Sequence, residues 1–387
     1  MELYLGHGTA EQRETLLAML DDVFFSEDDA ETQRDFLTLL PKLYKAEYAP
    51  AEHNLIVAED GEIKAAVGLY PFDVEVAGDT LRVGGIGNVA VAKDARGKGY
   101  MIRLMQQALA EMAADGTVYS ILGGHRQRYG YFGYEPGGQS LSFDLSRRSI
   151  AHIKGRDYQT DATARLVTAQ DADALAGIAL LYDRQPMRAV RAPEALYDIL
   201  CSWRSVPYVV TRGETFLGYF VKQKFGGILE LMATDPENLI DVCLCAMDVS
   251  GADSISFDVP PYDMPTADYM ARHCCGSDIS HAEMVCVLNF RRFTEAFLRL
   301  KATHAALCDG SLVLRIRGDR GDEQLRITVR DNQVSVTQTQ DPPALTLDQH
   351  TATRLITSPI CKEKELLPAF AQQWFPADFF SYSQDNV

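Results

Sequence analysis

Residues 84–105 read GGIGNVAVAKDARGKGYMIRLM. The pattern predicts a β-strand over 87–92, a tight basic turn at Arg96-Gly97-Lys98-Gly99, and directly after it an amphipathic helix with Ile102, Met105, Leu109 and Met112 on one face. Glycines let a ligand approach the backbone closely. Free N–H groups at a helix start, with the positive end of the helix dipole behind them, suit a phosphate or pyrophosphate. Arg96 and Lys98 add counter-charge. The nucleoside-triphosphate loop is excluded because Tyr100 follows Gly99 where Lys-Ser/Thr would be needed, and the dinucleotide fingerprint lacks its third glycine. The glycines at 84, 85 and 87 suit a β-bulge whose backbone N–H near Val89 could face a carbonyl as an oxyanion donor.

Working outward, residues 9–45 read as helical, with Leu16, Leu17, Leu20, Val23 and Phe24 as an apolar stripe that ends at Ser26-Glu27-Asp28-Asp29; a second piece holds Phe36, Leu37, Leu39 and Leu40. Strands follow at 54–58, 63–70, 72–76 and 81–85, with turns at Asp60-Gly61 and Gly78-Asp79. Another strand is expected at 119–123, leading into GGHRQRYGYFGYE at 123–135.

A hydrophobic strand followed by Arg-Gly-x-Gly resembles the acyl-coenzyme A segment of the GNAT acetyltransferases, Gln/Arg-x-x-Gly-x-Gly/Ala. Arg96 and Gly99 fill the first two fixed positions, and Met101 stands where the family has a small residue. The Tyr-Gly-x-Phe-Gly-Tyr string at 129–134 resembles the Eis (enhanced intracellular survival) subfamily. That resemblance implies a mixed α/β (α+β) architecture of two tandem GNAT-like domains followed by a sterol-carrier-protein-like domain. The cuts are a catalytic domain over 1–150, a degenerate second copy over 151–289, and a third domain over 290–387 whose tail reaches the active site. It implies acetyl-CoA as co-substrate, held by Val89, Ala90, Val91, Arg96, Gly97, Lys98, Gly99, Tyr100 and Met101. The acceptor would be a primary amine of a small cationic molecule or a peptide. Tyr129 matches the family's general acid, with Tyr131 and Tyr134 read as structural. The family's base is the C-terminal carboxylate, which falls here on Val387 rather than on an aromatic residue. A water held by Glu27 or Asp28 is the alternative base, and His125 a weaker one. A homo-oligomer, up to a hexamer, is also implied.

The second copy shows a hairpin over 208–222, a strand over 226–232, a helix over 237–248 and a strand over 254–259. Where the first copy has its basic turn, this one has Ala233-Thr234-Asp235-Pro236-Glu237: a helix cap, but one whose acidic side chains would repel a pyrophosphate. One acyl-CoA site per chain is expected. The third part starts with a helix over 293–306 and a meander over 311–317, 324–329 and 333–338, after which 342–348 leads into helix. The aromatic run Trp374 to Tyr382 predicts a buried tail, while Ser383-Gln384-Asp385-Asn386 is polar enough to predict fraying.

A net charge of −17 argues against nucleic-acid or anionic-membrane partners and favours cationic ones. No apolar run approaches the roughly 20 residues of a spanning helix, and no basic-then-apolar leader stands at the N-terminus, so a cytoplasmic protein is expected. The 8 cysteines form no Cys-x-x-Cys pair, which fits free thiols in a reducing compartment. His273, Cys274, Cys275 and His281 fit no zinc spacing, and no metal is expected. The rival to an enzyme is a non-catalytic acyl-CoA or lipid-binding sensor; the intact turn together with Tyr129 favours the enzyme.

Overall fold

The computed structural model describes residues 2–25 and 35–387. The acidic run at 26–29, and with it Glu27 and Asp28 as holders of a water, lies outside the described residues. The first part runs β1 (Leu3–His7), α1 (Arg13–Phe24), α2 (Phe36–Leu39), α3 (Pro41–Tyr44), β2 (Asn54–Glu59), β3 (Glu62–Val76), β4 (Asp79–Val91), α4 (Tyr100–Ala114), β5 (Tyr119–Leu122), α5 (Arg126–Tyr129), β6 (Glu135–Gly137) and β7 (Ser140–Ser146).

Several local expectations are corrected. β1, which the sequence did not reveal, is an edge strand with no buried residue, paired antiparallel with β2. The runs 63–70 and 72–76 are one strand. Pro71 falls between Gly68, where β2 stops, and Val74, where a later strand begins, so its missing N–H costs no ladder bond there. The runs 81–85 and 87–92 likewise join in β4. In α4 the buried residues are Tyr100, Leu104, Met105, Ala108, Leu109 and Met112. Ile102, expected among them, is exposed, because the i, i+4 rows 100/104/108/112 and 105/109 define the packed face.

The middle part contains α6 (Arg147–Lys154), β8 (Thr163–Leu166), α7 (Ala172–Tyr182), β9 (Met187–Ala189), α8 (Leu196–Cys201), β10 (Ser205–Arg212), β11 (Thr215–Gln223), β12 (Ile228–Ala233), α9 (Leu239–Ser250), β13 (Ser254–Val259), α10 (Met264–His273), β14 (Gly276–Ser280) and β15 (Glu283–Val287). Strands β12-β11-β10-β8 form a sheet of their own. The other strands trade places. β7 lies between β13 and β14, while β15 returns to the first sheet, whose order is β1-β2-β3-β4-β5-β15-β6 with β9 against β3. The boundary at 150 is therefore crossed twice by strand pairing, by β7 with β13 and β14 and by β15 with β5 and β6. Four of the five residues of β15 are buried, as a central strand covered on both faces requires.

The last part is α11 (Phe290–Ala302), the antiparallel meander β16 (Gly310–Arg317), β17 (Glu323–Arg330) and β18 (Gln333–Gln338), then β19 (Leu345–Asp348), α12 (Gln349–Thr357) and α13 (Ala369–Gln372). Instead of running straight into helix, 345–348 first pairs parallel with β16, and Asp348 then caps α12 by accepting from the Thr351 N–H at 2.9 Å.

One apolar core joins all three parts, and the tail is threaded through it. Trp374, Phe375, Phe379, Phe380 and Tyr382 are all buried, and Phe379 meets the ring of Tyr119 on β5 edge to face at 5.6 Å. Among the described residues no helix is long and apolar enough to cross a membrane, and no cluster of His, Cys, Asp or Glu is placed to hold a metal.

Candidate active site

β4 and β5 run parallel from Val83/Tyr119 to Ile86/Leu122, and there the pairing stops. Among the described residues β4 continues to Val91 with no strand on that side, so its backbone polar groups there face an open wedge. Within this free length lies a bulge. Ala66 faces Ala90 and Gly68 faces Gly87, so Asn88 and Val89 together oppose Val67 alone, and Asn88 takes a left-handed φ of 40°. The glycines before it make room rather than form the bulge. A Cβ at Gly84 would strike Met112 of α4 at 2.1 Å, one at Gly85 would strike Val387 at 2.6 Å, and one at Gly87 would sit 3.4 Å from the Val387 carbonyl carbon.

Past β4, Gly97 and Gly99 both have positive φ with open space around them, and α4 starts directly after Gly99. Lys98 does not stand free as counter-charge: its ammonium pairs with Glu59 at 2.7 Å, and the Tyr100 hydroxyl donates to the same carboxylate. That pairing holds the Glu59 carboxyl below its ordinary pKa. Arg96 is exposed and has no ion pair among the described residues, so of the two cations in the turn it is the one left without a carboxylate. Ala90 is buried, whereas Val89, Val91 and Met101 are half-buried. Met101 packs against the cluster that contains α4, which takes its bulk off the turn.

Tyr129 ends the single turn of α5 and is buried. Its ring lies so close to Gly124 that a Cβ there would approach within 2.4 Å, and its hydroxyl makes no hydrogen bond to a described residue. Tyr134 differs. It is fully buried and shares a hydrogen bond of 2.7 Å with Ser120, which in turn donates to the Gly84 carbonyl, and burial pushes its pKa well above the ordinary value. Tyr131, read from sequence as structural, is 87% exposed and packs little beyond the neighbouring Phe132 ring. His125 is exposed at the start of α5. That helix is anchored by Arg126, which grips the buried Glu135 with two bonds of 2.6 Å, and His350 from α12 reaches the same carboxylate at 3.0 Å.

The tail arrives from the other side, and its polar run does not fray. Gln384, fully buried, donates to the carbonyls of Ile199 and Leu200 at 3.1 and 3.0 Å. Trp203 donates to Ser383 O at 2.8 Å. Asp385 is gripped by Arg191, which also holds Glu230 at 2.7 Å, all three nearly devoid of exposure. Lys42 on α3 donates to the carbonyls of Gln384 and Asn386 at 2.5 and 2.7 Å, and burial of its ammonium lowers its pKa to about 7. The fraying expectation fails because the Ser383, Gln384 and Asn386 carbonyls or side chains and the Asp385 carboxylate meet Trp203, Ile199, Lys42 and Arg191, all far away in sequence. Replacing Gln384 by Ala removes its buried bonds to the Ile199 and Leu200 carbonyls and to the Ser205 hydroxyl and is expected to cost about 2 kcal/mol, read as a lower urea midpoint with an unchanged slope.

Val89, Tyr129 and Val387 line one cavity of about 330 Å³, otherwise walled largely by aromatic and apolar side chains such as Phe36, Leu40 and Trp203. Among the described residues nothing hydrogen-bonds or ion-pairs with the Val387 carboxylate. An exposed glycine turn at a helix start, a bulged backbone, a phenol and a carboxylate can together hold an anionic carrier, polarise a carbonyl, and give and take protons.

Residues 7–137 match the acetyltransferase (GNAT) domain family, so the chain carries an acetyltransferase domain of that type. Solved structures extend the likeness in fold to the whole chain. A GCN5-related N-acetyltransferase from Anabaena variabilis is 16% identical with a TM-score of 0.69, covering 98% of this chain and 97% of that one. One from Kribbella flavida is 17% identical at 0.68, covering 100% and 98%. Eis1 from Mycobacterium abscessus is 16% identical at 0.65, covering 100% of both chains. No curated protein matches the sequence.

Proposed function

We propose that this chain is an acetyl-CoA-dependent N-acetyltransferase acting by direct transfer on the primary amine of a small cationic molecule or peptide. The observation that carries the reading is the meeting of β4, α5 and the tail, from distant parts of the sequence, at one cavity through Val89, Tyr129 and Val387. The turn at 96–99 and the start of α4 bind the pyrophosphate of the co-substrate, with Arg96 as counter-ion. The Val89 N–H receives the negative charge that develops on the thioester oxygen. The Val387 carboxylate takes a proton from the attacking amine as the C–N bond forms. The C–S bond then breaks, and Tyr129 protonates the departing thiolate. The second copy holds no such site in this reading: Asp235 caps the Asn238 N–H at 3.0 Å where the basic turn would be. The meander of β16 to β18 with α11 fits a sterol-carrier-like scaffold.

Free-thiol release from acetyl-CoA is expected with at least one of a panel of polyamines, aminoglycosides and lysine peptides. Arg96→Glu should weaken acetyl-CoA binding about tenfold or more, measured by calorimetry. Tight coenzyme A binding with no thiol release for any amine would favour the non-catalytic sensor, and unchanged affinity in the variant would move the ligand elsewhere.

A further inference from the structure

Asn88 is a half-buried polar residue in the middle of a glycine- and valine-rich strand, with a left-handed φ of 40° that side chains other than glycine adopt at a cost. What holds it there is a closed set of hydrogen bonds. Its Oδ1 accepts from the Tyr44 hydroxyl at 2.6 Å and from the Tyr70 hydroxyl at 3.3 Å, while its Nδ2 donates to Asn54 Oδ1 at 2.7 Å. Asn54 is fully buried and is fixed in turn, its Nδ2 donating to Pro50 O at 2.8 Å and to the Tyr70 hydroxyl at 3.1 Å. Because Oδ1 faces hydroxyl donors and Nδ2 faces an acceptor, the amide has one orientation only. It lies across bare backbone: a Cβ on Gly68 would fall 2.2 Å from Asn88 Oδ1. Burial keeps both phenols protonated as donors, raising Tyr70 to about 12 and Tyr44 well above its ordinary value.

We propose that Asn88 is a positioning residue for acetyl transfer: its tethered side chain locks the β4 bulge so that the next backbone N–H, that of Val89, stays aimed at the thioester carbonyl. The proposal rests on the acetyltransferase reading above. It also gives α3 a double duty, since Tyr44 at one end of that helix holds the bulge while Lys42, two residues earlier, holds the tail carbonyls. The donor and the carboxylate are thereby set against each other from a single element. A donor that must wait for the charge to develop, rather than already point at it, loses most of its catalytic value.

The test is isotope-edited infrared spectroscopy of acetyl-CoA carrying ¹³C at the thioester carbonyl, bound to the full chain. In the wild type the carbonyl band should lie below its position in solution, as a hydrogen-bonded carbonyl does. Asn88→Gly keeps the positive φ and removes the tether, and Tyr44→Phe removes a single hydroxyl. In both, the band should move back toward the solution position, with coenzyme A affinity within about twofold of wild type and kcat down at least about tenfold. A wild-type band in a folded Tyr44→Phe and Asn88→Gly pair would overturn the positioning role while leaving the enzyme reading intact. A wild type that neither binds nor turns over acetyl-CoA would sink the enzyme reading, and this proposal with it.

Discussion

Extending the chain by two uncharged residues beyond Val387 is expected to cut turnover about a hundredfold, with acetyl-CoA affinity and the unfolding midpoint unchanged. The last residue sits against Gly85, where a Cβ would collide with it at 2.6 Å, and beside Gly87. Its carboxylate shares a cavity with Tyr129 and Val89. The residues behind it cannot yield: Asp385 is held by Arg191, and Lys42 holds the two neighbouring carbonyls. Two more residues would thus carry the charge about 7 Å onward at full extension, out of reach of an amine placed at the bulge. Because the clamp lies upstream of the added residues, the fold has no reason to suffer. An extended enzyme at wild-type turnover would take the base away from Val387 and give it to a water held elsewhere.

Tyr129→Phe is expected to lower kcat by about 10² or more with little change in the affinity for acetyl-CoA. The substitution leaves the ring, which packs between Gly124 and the cluster around α4, and removes only a hydroxyl that no described residue uses. Among the described residues none loses a hydrogen bond, so the loss can be read as chemistry. The same change at Tyr134 is different in kind, because it breaks the link from Ser120 to that hydroxyl; its first effect should be on stability. Turnover of Tyr129→Phe within about threefold of wild type would return Tyr129 to the core and leave the leaving thiolate without its donor.

The strand, turn and helix around residue 96 were legible because every signal there is local: the period changes from 2 to 3.6 across a turn whose two glycines both need positive φ. The aromatic tail was legible as buried for a similar reason, being too apolar to be left in water. What the sequence could not show is which partner each segment chooses. β7 and β15 are short alternating or apolar runs like their neighbours, and nothing in SLSFDLS or EMVCV marks one for the middle sheet and the other for the first. The run Ser383 to Asn386 looked loose because Lys42, Arg191 and Trp203, which satisfy it, lie roughly 180 to 340 residues away. Asn88 did carry a signal. An asparagine following Gly87 inside a strand is a place to look for left-handed backbone, and the bare Gly68 on β3 is its counterpart.

The exchange of β7 for β15 also bears on how the protein is made. The sheet that carries the bulge cannot close until residue 287 has left the ribosome, because β15 must slide between β5 and β6. Until then β5 offers an open edge on the side away from β4, and β7 has no partner at all before β13 is synthesised. A nascent chain halted after the first 150 residues would therefore expose two unpaired strands instead of a small working enzyme. Maturation of the site is tied to synthesis of the middle of the chain, and trimming the gene to its N-terminal third should yield aggregate rather than a minimal catalyst.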